Sequence, residues 1–401
     1  MIMTTSLAEQ TEKSTNIPTY SQIISGLGAV GIALQNYPAV VIFINSLTKN
    51  FIPVSQVSTA LIHTSSLATG GIASGMVNFW MNVELLDGFF KRVTEKNDEG
   101  NYKYIREYQK LTAWEQLQYF SGIAVFVVTG ILFGLMAFAF AMEGPLAILS
   151  VVAGVLVAGI MTIQEVETWL QSYDQLFQSR GPQNQEIIQE EEEETSLDNW
   201  QLVGKYCGHL IAAGNVLALS LLFTLGLAQS LMILQIAALP ALITGFAIAF
   251  TFGAFTEYFF YNAYLADFCK DFGKNWEKML AIKHAWAGIA CIATNALVNA
   301  ALTYAGVELL TGVLIAASIT LPPVAAITAL AAISAFFGGA ASFILGTAFW
   351  IRQNELKPQP KPVITSTELK GLQQYGTLKT APAANQENSK QHNPYVTAAN
   401  N

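Results

Sequence analysis

"HTSSLATGGIASG", residues 63–75, decides how this chain is read. It lies in a stretch free of Asp, Glu, Lys and Arg from Asn50 to Val83, long enough to cross a bilayer. Yet it consists largely of serine, threonine, glycine and one histidine, which lipid tails do not favour. A helix of this composition is expected to lie inside a bundle. Small residues let helix backbones approach, and Gly71-x3-Gly75 has the GxxxG spacing. Hydroxyls can also bond the carbonyl four residues back. The stretch is therefore read either as a tight packing face or as the lining of an aqueous path.

Similar charge-free runs extend on both sides: Ser14–Thr48, Gln116–Met142, Gly144–Gln164, Tyr206–Thr256, Ala285–Val307 and Leu309–Ile351. Charged residues make up 12% of the chain, against roughly 25% in soluble domains. Pro240 divides the run from Tyr206, and Pro322–Pro323 divides the run from Leu309. About eight spans result, near 21–46, 56–80, 117–140, 146–168, 206–227, 241–262, 285–305 and 324–350. "GIAVFVVTGILFGLMAFAFAM" (122–142) shows no alternation of apolar and polar residues, so helices are expected and a barrel is not. The predicted fold class is all-α: a polytopic helical membrane bundle with both termini cytosolic.

Charge sets that orientation. With eight spans, the N-terminus, the loops 81–116, 169–205 and 263–284 and the C-terminal tail share one side. They hold 19 of the 20 Lys and Arg residues, leaving only Lys49 opposite. The positive-inside rule puts the lysine-rich side in the cytoplasm, and all seven tryptophans fall near that side, as an interfacial belt would. The protein is thus expected to be integral to a membrane, bacterial inner or host organelle. The first 19 residues are polar, so no removable signal peptide is expected. Cys207, Cys269 and Cys291 are read as small apolar fillers.

Four hairpins, about 20–92, 114–178, 200–272 and 276–352, share features. Their first spans open on "YSQI", "WEQL", "WQLV" and "WEKM", and prolines 53, 145, 240 and 322 open their second spans. Asn82-x4-Asp87 recurs as Asn262-x4-Asp267. Either the hairpin was duplicated, or any hairpin with an aromatic belt looks like this. The remainder comprises a polar leader (1–19), a charged stretch (88–113) expected to extend its flanking helices, an acidic loop (178–199) and a polar tail (353–401) whose composition is that of disorder. Segments 228–239 and 309–320 are open to an interfacial or re-entrant reading.

Candidate chemistry lies inside the spans. His63 sits near mid-depth of the second, where a titratable group is a functional candidate. Glu165 and Glu257 lie toward the cytosolic ends of the fourth and sixth, and Asn36, Asn215 and Asn295 add mid-span amides. Together they outline a polar path for a cation, provided the even-numbered helices surround one axis. Each also has a structural reading, as interhelical hydrogen bonding or snorkelling. No P-loop, dinucleotide fingerprint, HExxH or GxSxG is present. No enzyme activity, cofactor or metal site is expected, and a net charge of −8 argues against nucleic acid as a partner.

The tail "GTLKTAPAANQENSKQHNPYVTAANN" and the loop "IIQEEEEET" resemble those of multi-pass effectors that intracellular bacteria export through type IV secretion. The resemblance covers under a fifth of the chain. It implies insertion into a host membrane and a secretion signal in the tail, and it assigns no residue. Two functions follow from the sequence. One is a channel or transporter for an ion or small solute. The other is a scaffold or membrane-remodelling protein whose acidic loop or tail binds a protein partner. The lipid bilayer is a partner in both.

Overall fold

In the computed structural model of the chain, the described residues are 19–51, 58–96, 100, 111–178 and 198–356. The leader, nearly all of the acidic loop and nearly all of the tail lie outside them. The described part is all-helical. Six helices are long and apolar enough to cross a membrane. They fall within α1 (Thr19–Phe51), α4 (Ala113–Met142), α5 (Ser150–Gln178) with the 3-10 turn Ala147–Leu149 that leads into it, α6 (Asn199–Ile233), α10 (Ala285–Ala316) and α11 (Val324–Leu356).

The two remaining apolar stretches are interrupted, each by a π turn. In the first, α2 (Thr59–Ser66) and α3 (Ser74–Thr94) flank π1 (Leu67–Ala73). In the second, α7 (Ala238–Ile248) and α8 (Phe255–Lys270) flank π2 (Ala249–Ala254). A short helix, α9 (Phe272–Ala281), then leads to α10.

The core lies among α1, α4, α6 and α10, each packed on the next, with α10 returning to α1. Ala39, Met136, Phe140, Leu222, Leu225, Leu302 and Ala305 fill the space between them. The partner helices lie outside this ring. The apolar stretches of α5 and α11 are each only 22% buried, against 44 to 56% for the four inner helices. Large apolar side chains such as Val151, Val152, Val155, Leu330, Ile333 and Phe336 stand exposed on them. A water-facing surface of this size would be unfavourable, and a lipid-facing one is not. The molecule is built as a helical membrane protein.

Helix ends follow local chemistry. Thr112 and Glu115 form a capping box before α4, and Asp198 and Gln201 form one before α6. On the charged stretch, α3 continues to Thr94 and α4 begins only at Ala113.

Residues 228–233 and 309–316 are the last turns of α6 and α10. Each helix then stops at a residue in the left-handed region, Gln235 (φ 65°) or Ser318 (φ 58°). The next amides, of Ile236 and Ile319, reach back to the carbonyls of Leu231 and Leu314. That closes the orphan carbonyls in the way a Schellman motif does.

Candidate functional site

The opposed faces of α4 and α5 are made of small residues. A β-carbon at Gly130 would strike the Thr162 backbone at 2.5 Å, and one at Gly134 the Gly154 carbonyl at 2.6 Å. Gly122 receives the Trp169 ring, which also stacks on Phe126 at 5.7 Å. Thr162 and Trp169 are seven residues apart and so share a helix face, with Glu165 between them. That register draws the Glu165 carboxylate inward, leaving the residue 4% exposed.

Glu257 enters from α8. The π turn before it leaves backbone groups without their α-helical partners, and Thr129 of α4 donates its hydroxyl to the Phe252 carbonyl at 2.8 Å. Beyond Glu257, α8 lies tight on α6, where Gly208 faces the Leu265 carbonyl at 2.5 Å from a would-be β-carbon. Glu257 is 6% exposed. The two carboxylates are within electrostatic reach of each other, and Tyr261, one turn along α8, is within reach of both. The Tyr261 hydroxyl is hydrogen-bonded to Thr168 of α5. Oε2 of Glu165 and Oε1 of Glu257 have no hydrogen-bond partner among the described residues.

Beside this pair, α3 is bonded to α5 by two polar contacts. Gln164 Nε2 donates to Asn82 Oδ1, and Arg92 Nε donates to Glu167 Oε1 at 3.1 Å. The second repeat of the Asn-x4-Asp motif has a parallel contact, Asn262 Oδ1 lying 2.7 Å from His209 Nδ1.

The other predicted path residues lie elsewhere. His63 Nδ1 is 2.7 Å from the Tyr37 hydroxyl. It precedes Asn82 by 19 positions on one helical stretch, a separation of about 28 Å along the axis at ~1.5 Å per residue. Asn36 donates to Ser74 at 2.7 Å and thereby joins α1 to the end of π1. Asn295 and Asn299 both donate to Ser342 on α11. Asn215 is half-buried on α6. These amides connect helices, while the centre of the bundle is the apolar cluster already described.

The stretch 63–75 is also only partly interior. Leu67 and Ile72 within it, and Leu61 and Met76 beside it, are all more than half exposed. Thr64, Ser65 and Thr69 bond carbonyls of their own helix. Its tight contact is with α1. A β-carbon at Gly70 would meet the Asn36 carbonyl oxygen at 2.7 Å, and one at Gly75 the Ala29 oxygen at 3.3 Å. One at Gly71 would meet only Leu67 of its own helix. The facing glycines are thus five apart, the repeat of a π turn rather than of an α-helix.

Sequence reasoning missed Tyr261 and Thr168. The signal was available, since Tyr261 follows Glu257 by one turn and Thr168 follows Glu165 by three positions.

A second polar feature lies where α4, α6 and α10 end. A cleft of ≈ 430 Å³ is lined by Glu143, Gln229, Met232, Glu308 and Thr311 among others. Ser46 donates to Glu308 there at 2.9 Å. Among the described residues no group of three or more His, Cys, Asp or Glu could hold a metal ion. Comparison with protein-family models, curated proteins and solved structures finds no match.

Proposed function

We propose that this membrane protein transports an ion or small solute, and that Glu165 and Glu257 form its working site. One observation carries this reading: two carboxylates, each with an open oxygen, lie buried within electrostatic reach of each other between helices suited to lipid. Intramembrane carboxylates are costly, so their retention points to use. In this reading α2–α3 and α7–α8 also span, giving eight helices in four repeated hairpins with both termini cytosolic. The nearly one-sided lysine and arginine distribution supports that topology. Transport then relies on movement of the helices that carry the two carboxylates, since the centre of the bundle is closed.

The test is flux through proteoliposomes holding the full-length protein, across a panel of ions and small solutes. Glu165→Gln and Glu257→Gln should each lower flux at least tenfold while the melting temperature is held. Unchanged flux in both variants, or a parent that carries nothing in the panel, sinks the reading.

A second reading has its own support. The apolar closure among α1, α4, α6 and α10 also suits a protein that only anchors partners or shapes the bilayer, including an effector inserted in a host membrane. It predicts an inert parent in the same assay.

A further inference from the structure

We propose that α9 is an interfacial helix, lying at the edge of the bilayer and gathering anionic phospholipid headgroups with its lysines. The inference is independent of transport and needs only that the protein lies in a membrane. The tetrapeptides that open the first three hairpins, at Tyr20, Trp114 and Trp200, lie on helices long enough to cross. The fourth, Trp276–Met279, does not. It belongs to α9, which has 10 residues and so reaches about 15 Å, half the thickness of the hydrocarbon core. A corner at Asp271 sets α9 off from α8, with Asn275 Nδ2 donating across it to the Phe268 carbonyl at 3.1 Å. His284, in the left-handed region at φ 66°, separates it from α10.

Three sides of α9 meet three surroundings. Met279 is fully buried in a cluster with Leu265 and Phe268 of α8. Phe272, Trp276 and Leu280 recur every four residues and so line an adjoining side. Phe272 and Leu280 are exposed. Between them, the Trp276 ring stacks on Phe272 at 6.1 Å and meets Phe343 of α11 at 6.4 Å. This apolar side therefore continues the outer surface of α11, which is suited to lipid. Phe343 comes 13 positions before the end of α11 at Leu356, about 20 Å at ~1.5 Å per residue. The helix thus docks on the flank of the bundle and not beyond its end. Its remaining side carries Lys274, Glu277 and Lys278, all exposed.

Charge selects the headgroup. Residues 270–284 hold four lysines against two carboxylates. One of the two, Asp271, is met by Lys274 at 3.1 Å and by the Gln201 side chain of α6 at 3.2 Å. The excess is positive, beside an apolar side. Lysines on one face with Phe, Trp and Leu on the other are the composition with which a helix lies in the interface plane. An acidic peptide would meet the lysines but leave Phe272 and Leu280 uncovered. A phosphodiester carried on acyl chains matches both sides at once.

The experiment uses the full-length protein with Cys207→Ala, Cys269→Ala and Cys291→Ala, in phosphatidylcholine bilayers containing a minor fraction of phosphatidylglycerol. Spin labels are placed singly on Phe272→Cys, Leu280→Cys, Lys274→Cys and Glu277→Cys. The first two should collide more with dissolved oxygen than with a water-soluble nickel chelate, and the last two the reverse. Four labels equally open to nickel would put α9 in water. Labels at 272 and 280 shielded from both reagents would put protein there. Either result overturns the proposal. Headgroup preference is read from a fluorophore on Leu280→Cys, quenched by doxyl-labelled phosphatidylglycerol or by the same amount of doxyl-labelled phosphatidylcholine. The anionic lipid should be favoured about fivefold, the worth of one lysine near an anionic surface. That preference should vanish in the Lys270→Gln/Lys274→Gln/Lys278→Gln/Lys283→Gln variant, while the oxygen and nickel pattern persists and shows α9 still in place. Equal quenching by the two lipids in the parent overturns the proposal, as does a preference that survives loss of all four lysines. Soluble glycerol phosphate should leave the preference unchanged; if it abolishes it, the site is one for free phosphate and the lipid assignment falls.

Discussion

Replacing Gly70 by alanine tests how closely π1 lies on α1. The new β-carbon would stand 2.7 Å from the Asn36 carbonyl oxygen and 2.8 Å from a Val40 methyl. Val40 can rotate, but the carbonyl is backbone of a packed helix. Restoring ordinary contact near 3.4 Å asks the two helices to part by about 0.7 Å. The same displacement stretches the Asn36–Ser74 hydrogen bond, now 2.7 Å, to the edge of usefulness.

Overpacking of this kind costs about 1–3 kcal/mol, and an interhelical hydrogen bond in a membrane contributes roughly 0.6 kcal/mol on average. Against these, alanine in a helix gains about 0.5–1 kcal/mol over glycine. The net expectation is a loss of about 1–2 kcal/mol. Unfolding of the purified protein in mixed micelles, followed by tryptophan fluorescence, would read it. Gly71→Ala is the control, because its β-carbon meets only the end of Leu67. It should be neutral or slightly stabilising. Equal stability of the Gly70 variant and the parent would refute the reasoning, and so would equal loss at Gly71.

Arg92→Gln should cost about 3–5 kcal/mol in the same unfolding measurement, because it leaves Glu167, 3% exposed, without its guanidinium. Adding Glu167→Gln should recover most of that loss, and failure to recover would show that Arg92 acts through other contacts. Single cysteines at positions 98 and 190 should label from one face of the membrane, and those at 49, 143 and 308 from the other. Residue 190 labelling opposite residue 98 would break the four-hairpin topology.

The long apolar helices were legible because length and absence of charge are enough to recognise them, and both survive any detail of packing. The ring of α1, α4, α6 and α10 was not, since the hairpin-opening and hairpin-closing helices have similar mean hydropathy. What separates them is where glycines and alanines fall against a neighbour. Glu165 and Glu257 were legible as isolated carboxylates in apolar surroundings. That they are buried within electrostatic reach of each other was not, because it depends on how π2 sets the rotation of α8. The same cause displaced the packing glycine. GxxxG is a rule for α-helices, and in π1 it selects Gly71 where the chain uses Gly70. His63 looked like a member of the path through its depth alone. Depth does not say which face of a helix a residue occupies, and Tyr37 had already claimed it.

The two π turns bear on how this chain can change length. An α-helix advances about 100° per residue, so losing one residue swings everything beyond it off its neighbours. A π turn is a local surplus of one residue, absorbed without disturbing the helix on either side. Removing a residue within 67–73 or 249–254 would return the turn to α-helical winding and keep the flanking faces in place. The same deletion in α4 or α10 would turn half the helix away from the core. Insertion and deletion are therefore permitted at two addresses in the membrane part, and the second is three residues from Glu257. A shorter descendant of this protein could lose its π turn there and keep its fold, while the direction in which that carboxylate leaves its helix is reset.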